Sequence, residues 1–320
     1  RGDRSGIVKL KPTREGWIEG LLEAAGRDDR IVLLDADVSR SIGGERFADR
    51  FPARHFNVGV SEQEMISEAA GLALAGFVPF VQSYAVFCAG RAWEQIRTSV
   101  CHMGLGVKIG GAHAGLSAGP DGATHQALED VAVMRVLPRM TVLVPADSNQ
   151  TRAAAITAAE TEGPFYVRFG RNPVPEICPE GCRVVPGGAD VLREGSDVLL
   201  AAAGAMVGIC LDAASMLQAS GISAAVVNAY SIKPLAADLL VELASRCGCA
   251  VTAMDHQEAG GLFGAVSELM ALRCPVPVEP VGVPDSFGES GSPEELFARF
   301  GLTAEGVASA AVRAVSRASR

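Results

Sequence analysis

Short apolar runs alternate with longer helical patterns along the whole chain, and this alternation constrains the fold more than any other feature. In the first half the runs occupy residues 30–38, 77–83, 106–111, 140–147 and 164–171. In the second half they occupy residues 197–204, 223–230, 249–256 and 276–282. Strands and helices that alternate in this way predict mostly parallel sheets covered by helices on both faces. We therefore expect an α/β fold built from doubly wound sheets.

A segment rich in proline and glycine divides this alternation in two. Residues 173–188, PVPEICPEGCRVVPGG, hold four prolines and three glycines, a composition typical of a linker. The chain has 320 residues, and a single core usually stops growing near ~250–300 residues. We expect two α/β domains, residues 1–175 and a smaller one at 191–320, joined by a linker at 176–190.

Composition excludes several classes of protein. A net charge of −9 argues against a nucleic-acid partner, because phosphate backbones require clustered Lys and Arg. No uncharged apolar run reaches the ~18–20 residues that a membrane helix needs. The opening RGDRSG lacks a methionine and a signal-peptide pattern, so we expect a processed or incomplete end there. Eight cysteines without paired CxxC knuckles predict buried free thiols in a reducing cytoplasm rather than a metal site.

One helix opens with three carboxylates in seven residues. In FNVGVSEQEMISEAAGLALAG, residues 56–76, Ser61 and Glu64 predict a capping box, and Glu68 on the next turn can face solvent. Glu62 stands at the first helical position, where its charge would complement the helix dipole. Stabilisation of the helix N-terminus is thus one explanation for a carboxylate at position 62. A catalytic carboxylate at this position is equally consistent with the pattern.

A polar, glycine-rich loop follows the strand at 106–111. Its sequence, AHAGLSAGPDGATHQALED, carries His113, Asp121 and His125. In doubly wound sheets the loops beyond the carboxyl ends of the strands form the ligand crevice. These side chains can move protons or bind sugar hydroxyls near neutral pH. A plain turn with a helix cap is the alternative, since GPDG is also an ordinary turn sequence.

Several motifs in fixed order resemble the C-terminal half of transketolase. They are VSEQE, SYAVFCAGRAWEQIR, HAGLSAGPDGATHQALEDVAVMRVLP, VPADSNQ and RFGRNP. The closing DSFGESGSPEELFARFGLTAEGV is similar to that family and to 1-deoxyxylulose-5-phosphate synthase. The resemblance covers essentially the whole chain, as a pyrimidine-binding domain followed by the transketolase C-terminal domain. It is more specific than any single motif.

The resemblance implies a site for thiamine diphosphate and transfer of a two-carbon ketol unit. Glu62 matches the catalytic glutamate that shares a proton with N1′ of the aminopyrimidine. Phe87 matches the aromatic residue that stacks on this ring, and Tyr84 lies beside it; the alternative is that both cover the sheet. Asp37 matches an aspartate near the thiazolium at the subunit interface, although an ordinary carboxylate at a strand end would have the same pattern.

The resemblance also implies a binding site for a sugar phosphate. Asp121 and His125 match residues that contact the donor hydroxyls and carbonyl oxygen, and we expect His125 to be catalytic. The residues that match the phosphate-binding set are His113, Arg14, Arg171 and Ser39. Arginine suits this role because its planar guanidinium binds two phosphate oxygens at once. An ion pair for Arg171 and a solvated helix start for Arg14 are the alternatives.

One family motif is missing from the chain. The diphosphate domain of the family carries GDG, followed by an Asn, which together hold Mg²⁺; residues 1–320 contain no GDG. Magnesium prefers oxygen ligands and bridges cofactor phosphates to protein. We therefore expect no metal ligand here and a separate N-terminal subunit that carries GDG and holds most of the thiamine diphosphate and Mg²⁺. The expected assembly is an α2β2 heterotetramer.

Three other functions share part of this pattern. The β subunit of a 2-oxo-acid dehydrogenase has the same two domains but feeds a lipoyl carrier, and a 1-deoxyxylulose-5-phosphate synthase-like fragment would use pyruvate. The loop GPDGATHQALEDVAVMRVLP favours transketolase. A non-catalytic partner that stabilises a sister subunit is the third alternative, and the combination of Glu62, Asp121 and His125 argues against it. The sequence does not choose among ketose and aldose substrates.

Overall fold

Two sheets organise the chain in the computed structural model, which describes residues 9–319. The expectation about the opening RGDRSG lies outside the described residues. The strands, in chain order, are β1 Leu10–Pro12, β2 Ile31–Asp35, β3 His55–Asn57, β4 Val78–Tyr84, β5 Lys108–Ala112, β6 Thr141–Leu143, β7 Phe165–Arg168, β8 Pro173–Pro175, β9 Asp190–Arg193, β10 Val198–Ala202, β11 Ala224–Asn228, β12 Ser231–Lys233, β13 Ala250–Gln257 and β14 Val278–Val283.

The helices lie between these strands. In chain order they are α1 Thr13–Ala25, α2 Ser39–Ile42, α3 Glu45–Arg50, α4 Glu62–Leu74, α5 Trp93–Gln95, α6 Asp130–Arg135, α7 Ser148–Glu160, α8 Met206–Ala219, α9 Ala237–Cys247, α10 Leu262–Arg273, α11 Pro293–Arg299 and α12 Ala304–Ala318. Segments Phe87–Arg91 and Ile96–His102 on either side of α5 have π-helical geometry. Short 3₁₀ segments cover Pro52–Arg54 and Gly115–Asp121.

The chain builds two mainly parallel sheets, one from each half except that β12 of the second half joins the first sheet, and these sheets confirm the α/β fold class. The first sheet has seven strands in the order β12-β6-β7-β5-β4-β2-β3, and the second has five in the order β14-β13-β10-β11-β9. All residues of β2, β5 and β10 are buried, as expected for strands covered on both faces. One continuous apolar cluster includes Val32 of the first sheet and Leu199 of the second. The two sheets therefore share a core.

The sequence did not predict two of the strand pairings. Strand β12 follows β11 of the second domain but pairs antiparallel with β6 of the first sheet. Strand β8, which lies just before the expected linker at 176–190, pairs antiparallel with β1 of the same predicted domain. The domain boundaries at 175 and 191 stay a prediction, and the pairing of β12 with β6 joins the second half of the chain to the first sheet.

The predicted capping box at Ser61 and Glu64 is wrong. Helix α4 does begin at Glu62, but the Ser61 side chain makes no capping hydrogen bond. An N-cap residue normally has extended backbone angles, whereas Ser61 has φ −141° and ψ 66° and donates its N–H to Gly59 O at 2.8 Å. A complete capping box stands instead at the start of α11, between Ser292 and Glu295.

The loops at the carboxyl ends of β2, β4 and β5 meet at one edge of the first sheet. Because these strands are parallel neighbours, the segments after Asp35, Tyr84 and Ala112 lie side by side. This is the edge at which doubly wound sheets bind ligands. From residue 9 to residue 319, no helix is long and apolar enough to cross a membrane.

Candidate active site

A crevice of about 480 Å³ opens at this edge of the first sheet. Its lining includes six residues that the sequence predicted for the site: Asp37, Glu62, Tyr84, Phe87, Asp121 and His125. They come from the loop after β2, the start of α4, the end of β4 and the polar loop after β5. The fold therefore brings together residues that lie up to 88 positions apart in sequence, counted from Asp37 to His125.

Glu62 forms one wall of the crevice as a buried carboxylate. Its side chain is 2% exposed, at the first position of α4. The Ser83 hydroxyl donates to Oε1 at 3.1 Å, and Arg91 Nη1 donates to Oε2 at 2.5 Å. A buried charge needs such partners, and the helix N-terminus adds a favourable dipole. The two donors fix the orientation of the carboxylate at the edge of the cavity.

Aromatic rings form a flat slot beside Glu62. The rings of Tyr84 and Phe87 lie nearly parallel, with centroids 6.2 Å apart, and His125 meets both edge-on at 5.6 and 5.3 Å. The Arg91 guanidinium packs over the Phe87 ring at 4.6 Å. Flat aromatic faces favour stacking of a planar ring. The slot and the adjacent carboxylate suit a planar heterocycle that can accept or share a proton.

Backbone strain is concentrated at this edge. Asp37 has φ 63° and His113 has φ 53°, values in the left-handed region that non-glycine residues seldom adopt. Asp37 accepts a hydrogen bond from Asn57 Nδ2 at 3.0 Å, which holds its side chain near the crevice. Strained residues persist where the surrounding structure fixes them, and they are common at functional sites. Both positions were predicted for the site from the sequence.

A second cluster forms around His113, deeper in the same edge. The imidazole is fully buried, stacks on Tyr84 at 4.5 Å, and places Nε2 2.9 Å from the Ser41 hydroxyl. Its Nδ1 is buried with no hydrogen-bond partner among the described residues. Burial and the Arg171 and Arg14 guanidiniums lower the pKa of His113 to about 3. A neutral imidazole with a free nitrogen beside two cations suits an anion such as a phosphate.

The structure does not bring Ser39 to this cluster. The Ser39 hydroxyl bonds to Asp35 and lies 3.1 Å from His55 Nε2, which itself lies 2.7 Å from Asp35. Because the same imidazole nitrogen faces both Asp35 and Ser39, this group cannot work as a Ser-His-Asp triad, which needs both nitrogens. Ser41, two residues further on, takes the place beside His113 that was expected for Ser39.

The two predicted arginines hold the loops of the His113 cluster. Arg14 Nη1 donates to Ser41 O at 2.8 Å, so Arg14 is more than a solvated helix-start residue. Arg171 Nη1 donates to Asp121 Oδ2 at 3.1 Å, and Nη2 donates to Ala118 O at 2.5 Å. Arg171 therefore forms the ion pair that we considered as the alternative to phosphate binding. Its partner in this pair, Asp121, is a residue expected to bind the substrate.

Sequence reasoning missed three side chains of the site: Ser41, Ser83 and Arg91. Ser83 and Arg91 stand within the motif SYAVFCAGRAWEQIR, so the motif was recognised but not its donors to Glu62. The spacing of Arg91 from Phe87 could have indicated that both lie on one helical turn, since residues four apart on a helix are neighbours. Ser41 carried no distinguishing signal next to Ser39.

The site fits half of the cofactor that the family resemblance implies. The buried Glu62 carboxylate and the aromatic slot match an aminopyrimidine. Within residues 9–319 no group of three or more His, Cys, Asp or Glu side chains could hold a metal ion. The eight cysteines are all free.

Two family patterns match the chain. The transketolase pyrimidine-binding domain matches residues 11–193, and the transketolase C-terminal domain matches residues 187–307. Together they account for most of the sequence. The match of the first pattern includes every residue placed above in the crevice and in the His113 cluster.

Similar proteins include separate subunits and parts of longer enzymes. The chain is 41% identical over 312 residues to the 6-deoxy-6-sulfo-D-fructose transketolase subunit SqwH of Clostridium sp. strain MSTE9, covering 97% of each. It is 40% identical to 1-deoxy-D-xylulose-5-phosphate synthase of Heliobacterium modesticaldum, but spans only 45% of that enzyme. A solved split-gene transketolase, an inactive β4 tetramer, superposes with a TM-score of 0.88 at 46% identity, over 96% of this chain and 98% of that one.

Proposed function

The chain belongs to the transketolase family, and we propose that it is the pyrimidine-binding subunit of a split, thiamine diphosphate-dependent transketolase. It works with an N-terminal subunit that carries the diphosphate- and Mg²⁺-binding GDG motif. Two copies of each chain form an α2β2 heterotetramer. The observation that carries the proposal is the buried Glu62 carboxylate beside an aromatic slot.

Thiamine diphosphate, when bound, supplies a carbon nucleophile and an electron sink for breaking a carbon–carbon bond. Glu62 holds a proton at N1′ of the aminopyrimidine, with its orientation fixed by Ser83 and Arg91. Phe87 and Tyr84 orient the ring by stacking. These residues act on the pyrimidine half, and the partner subunit binds the diphosphate half.

The substrate lies between the crevice and the His113 cluster. We assign contacts with the donor hydroxyls and carbonyl oxygen to Asp121 and His125, which line the crevice. We assign a proton transfer to His125; its ring packs edge-on against Tyr84 and Phe87, and its Nδ1 lies 3.0 Å from Thr124 Oγ1. The phosphate of the sugar is bound by residues of the His113 cluster: His113, Ser41, Arg14 and Arg171.

We assign the diphosphate half of the cofactor site to the partner subunit. The similar split-gene transketolase in its β4 form is inactive, which supports the proposal that the β chain alone does not catalyse. A site shared between chains also explains why Val60, an apolar residue that lines the crevice, stays exposed. The eight free thiols support a reducing, cytoplasmic location, which we include in the proposal.

The alternatives use the same cofactor with other substrates. A 1-deoxyxylulose-5-phosphate synthase joins pyruvate to an aldehyde with loss of carbon dioxide, and the chain spans less than half of such enzymes. A 2-oxo-acid dehydrogenase subunit would not need the phosphate-binding set around His113. A stabilising partner without catalysis would not need the buried Glu62 carboxylate. Split transketolase remains the function that the described residues support best.

The deciding experiment is a transfer assay on the chain mixed with a GDG-bearing N-terminal subunit. With thiamine diphosphate and Mg²⁺ present, we expect a two-carbon unit to move from a ketose phosphate to an aldose phosphate. The assay should include pyruvate as a competing donor. Carbon dioxide release from pyruvate, with no ketol transfer, would replace the proposal with the synthase alternative.

Replacing Arg14 tests the phosphate site with the same assay. Arg14→Met should raise the KM for a ketose phosphate about 10- to 100-fold, because a charge-assisted hydrogen bond contributes about 1.5–3 kcal/mol. The KM for the same ketose without its phosphate should change less than about twofold, since a ligand without the phosphate gains nothing from Arg14.

The matched control for Arg14→Met is Arg46→Met. Arg46 pairs with Glu15 on the surface at 3.0 Å, and exposed pairs of this kind contribute about 0–1 kcal/mol. We expect its KM values to match those of the wild type. Equal losses for the phosphorylated and unphosphorylated ketose in Arg14→Met would mean that Arg14 binds no phosphate.

A further inference from the structure

The polar loop of the first domain is held from outside by the second domain. Four of its residues have positive φ: His113, Gly115, Gly119 and Gly122. The loop has a short 3₁₀ segment of its own at Gly115–Asp121, and contacts from outside the loop hold its strained backbone positions in place. Some of these contacts come from Asp255 near the end of β13. The others come from residues 287–293, and we call this segment the clasp.

Gln126 connects the loop to the clasp. Its side chain is 3% exposed, and Nε2 donates both to Gly119 O within the loop at 3.2 Å and to Glu289 O of the clasp at 2.8 Å. Gln126 directly follows His125, and Gly119 stands two residues before Asp121. One amide therefore fixes both ends of the stretch that carries the two substrate residues.

Glycines make this contact close. A Cβ on Gly288 of the clasp would lie 1.8 Å from Gln126 Oε1, and a Cβ on Gly122 of the loop would lie 2.6 Å from Ser290 Oγ. Neither position has space for a side chain without movement of its neighbour. Asp255 adds a second anchor, since its carboxylate accepts the Leu116 N–H at 3.0 Å. The backbones of the clasp and the loop therefore pack so closely that neither Gly288 nor Gly122 can carry a side chain without displacing a neighbour.

We propose that the clasp of the C-terminal domain, acting through Gln126, sets the positions of Asp121 and His125 in the active site. Gln126 is a positioning residue: it does not line the crevice, and its side-chain amide donates to Gly119 and Glu289 rather than to the residues assigned to the phosphate. The inference rests on the proposed function, and it gives the second domain a direct part in the chemistry. A misplacement of about 1 Å in a catalytic group costs about 100-fold in rate.

The first test is Gln126→Met in the mixed complex, which keeps the volume of the side chain but removes the donor to Gly119 and Glu289. We expect kcat to fall about 10- to 100-fold and the affinity for thiamine diphosphate to change less than about twofold. Hydrogen–deuterium exchange should rise in the peptide covering 113–129 and stay unchanged in the peptide covering 56–76. Loss of cofactor affinity, or unchanged exchange at 113–129, would overturn the proposal.

A double-mutant cycle isolates the contact itself. Gly288→Ala should lower kcat by a similar factor in the wild type, but by less than about twofold in a Gln126→Ala background, because the clashing amide is then gone. Gly264→Ala in α10 is the control, since a Cβ there meets nothing closer than 3.8 Å. Additive losses, or an equal loss in the control, would contradict the proposal.

The two proposals fail in different ways. If the wild-type mixture transfers no ketol unit, the proposed function fails, and the exchange measurements at 113–129 still decide whether the clasp holds the loop. If the wild type transfers normally while Gln126→Met and Gly288→Ala do the same, the function stands and the clasp proposal falls.

Discussion

The Glu62→Gln variant, mixed with its partner subunit, is expected to lose about 10²–10⁴-fold of its ketol-transfer rate. The amide has the same shape as the carboxylate and can still meet Ser83, but it cannot share a proton with N1′ of the pyrimidine. Arg91 loses its charged partner in this variant, but its side chain is 44% exposed, so the change leaves no buried unpaired charge. Assembly of the tetramer should therefore survive the change.

The control for Glu62→Gln lies on the same helical turn. Glu64 is exposed, so Glu64→Gln makes the same chemical change outside the crevice and should leave turnover within about twofold. Sedimentation of both mixed complexes checks that the assembly is unchanged. Near-normal turnover of Glu62→Gln in an intact complex would contradict the role that we assign to this carboxylate.

Arg168→Met should strongly destabilise the folded chain. Arg168 Nε donates to Asp130 at 3.0–3.1 Å, and Nη2 donates to Ala127 O and Asp255 O. Both members of the pair are almost fully buried, and Tyr166 also donates to Asp130, at 2.7 Å. Removing one partner of a buried pair costs about 3–5 kcal/mol, because the other charge stays buried and loses its partner. Total stabilities are commonly about 5–15 kcal/mol, so the loss is large.

The measurement for Arg168→Met is urea unfolding at one fixed chain concentration, since stability depends on assembly. Arg273→Met serves as the matched control. Arg273 pairs with Asp238 at 2.8 Å, and both side chains are largely exposed, so the loss there should stay below about 1 kcal/mol. Equal shifts of the two unfolding midpoints would show that burial of the Asp130–Arg168 pair is not what stabilises this region.

The sequence predicted long apolar strands well and short pairing segments poorly. The runs at 30–38 and 249–256 became β2 and β13, because a buried parallel strand needs continuous apolar residues. Strands β8 and β12 have three residues each, and both join elements that lie far apart in the chain. Three residues are too few to show a period, so only the folded chain reveals these pairings.

Residues of the candidate site could be predicted where they belong to one of the ordered motifs. They could not be predicted where only the folded backbone determines which side chain faces the site. Glu62, Phe87, Asp121 and His125 line one crevice, as the ordered motifs indicated. Ser39 and Ser41 are both small hydroxyl residues of one short helix, and only its direction shows which of them faces His113. The contact from Gln126 to Glu289 spans 163 residues, so no local pattern could have predicted it.

The most direct measurement is a calorimetric titration of thiamine diphosphate and Mg²⁺ into this chain, first alone and then mixed with the GDG-bearing subunit. The proposed division of the cofactor site predicts binding only in the mixture, because Glu62 and the aromatic slot hold the pyrimidine half while the partner supplies the ligands of the metal and diphosphate. Tight binding to the chain alone would contradict a shared site, and the two-subunit function would fall with it.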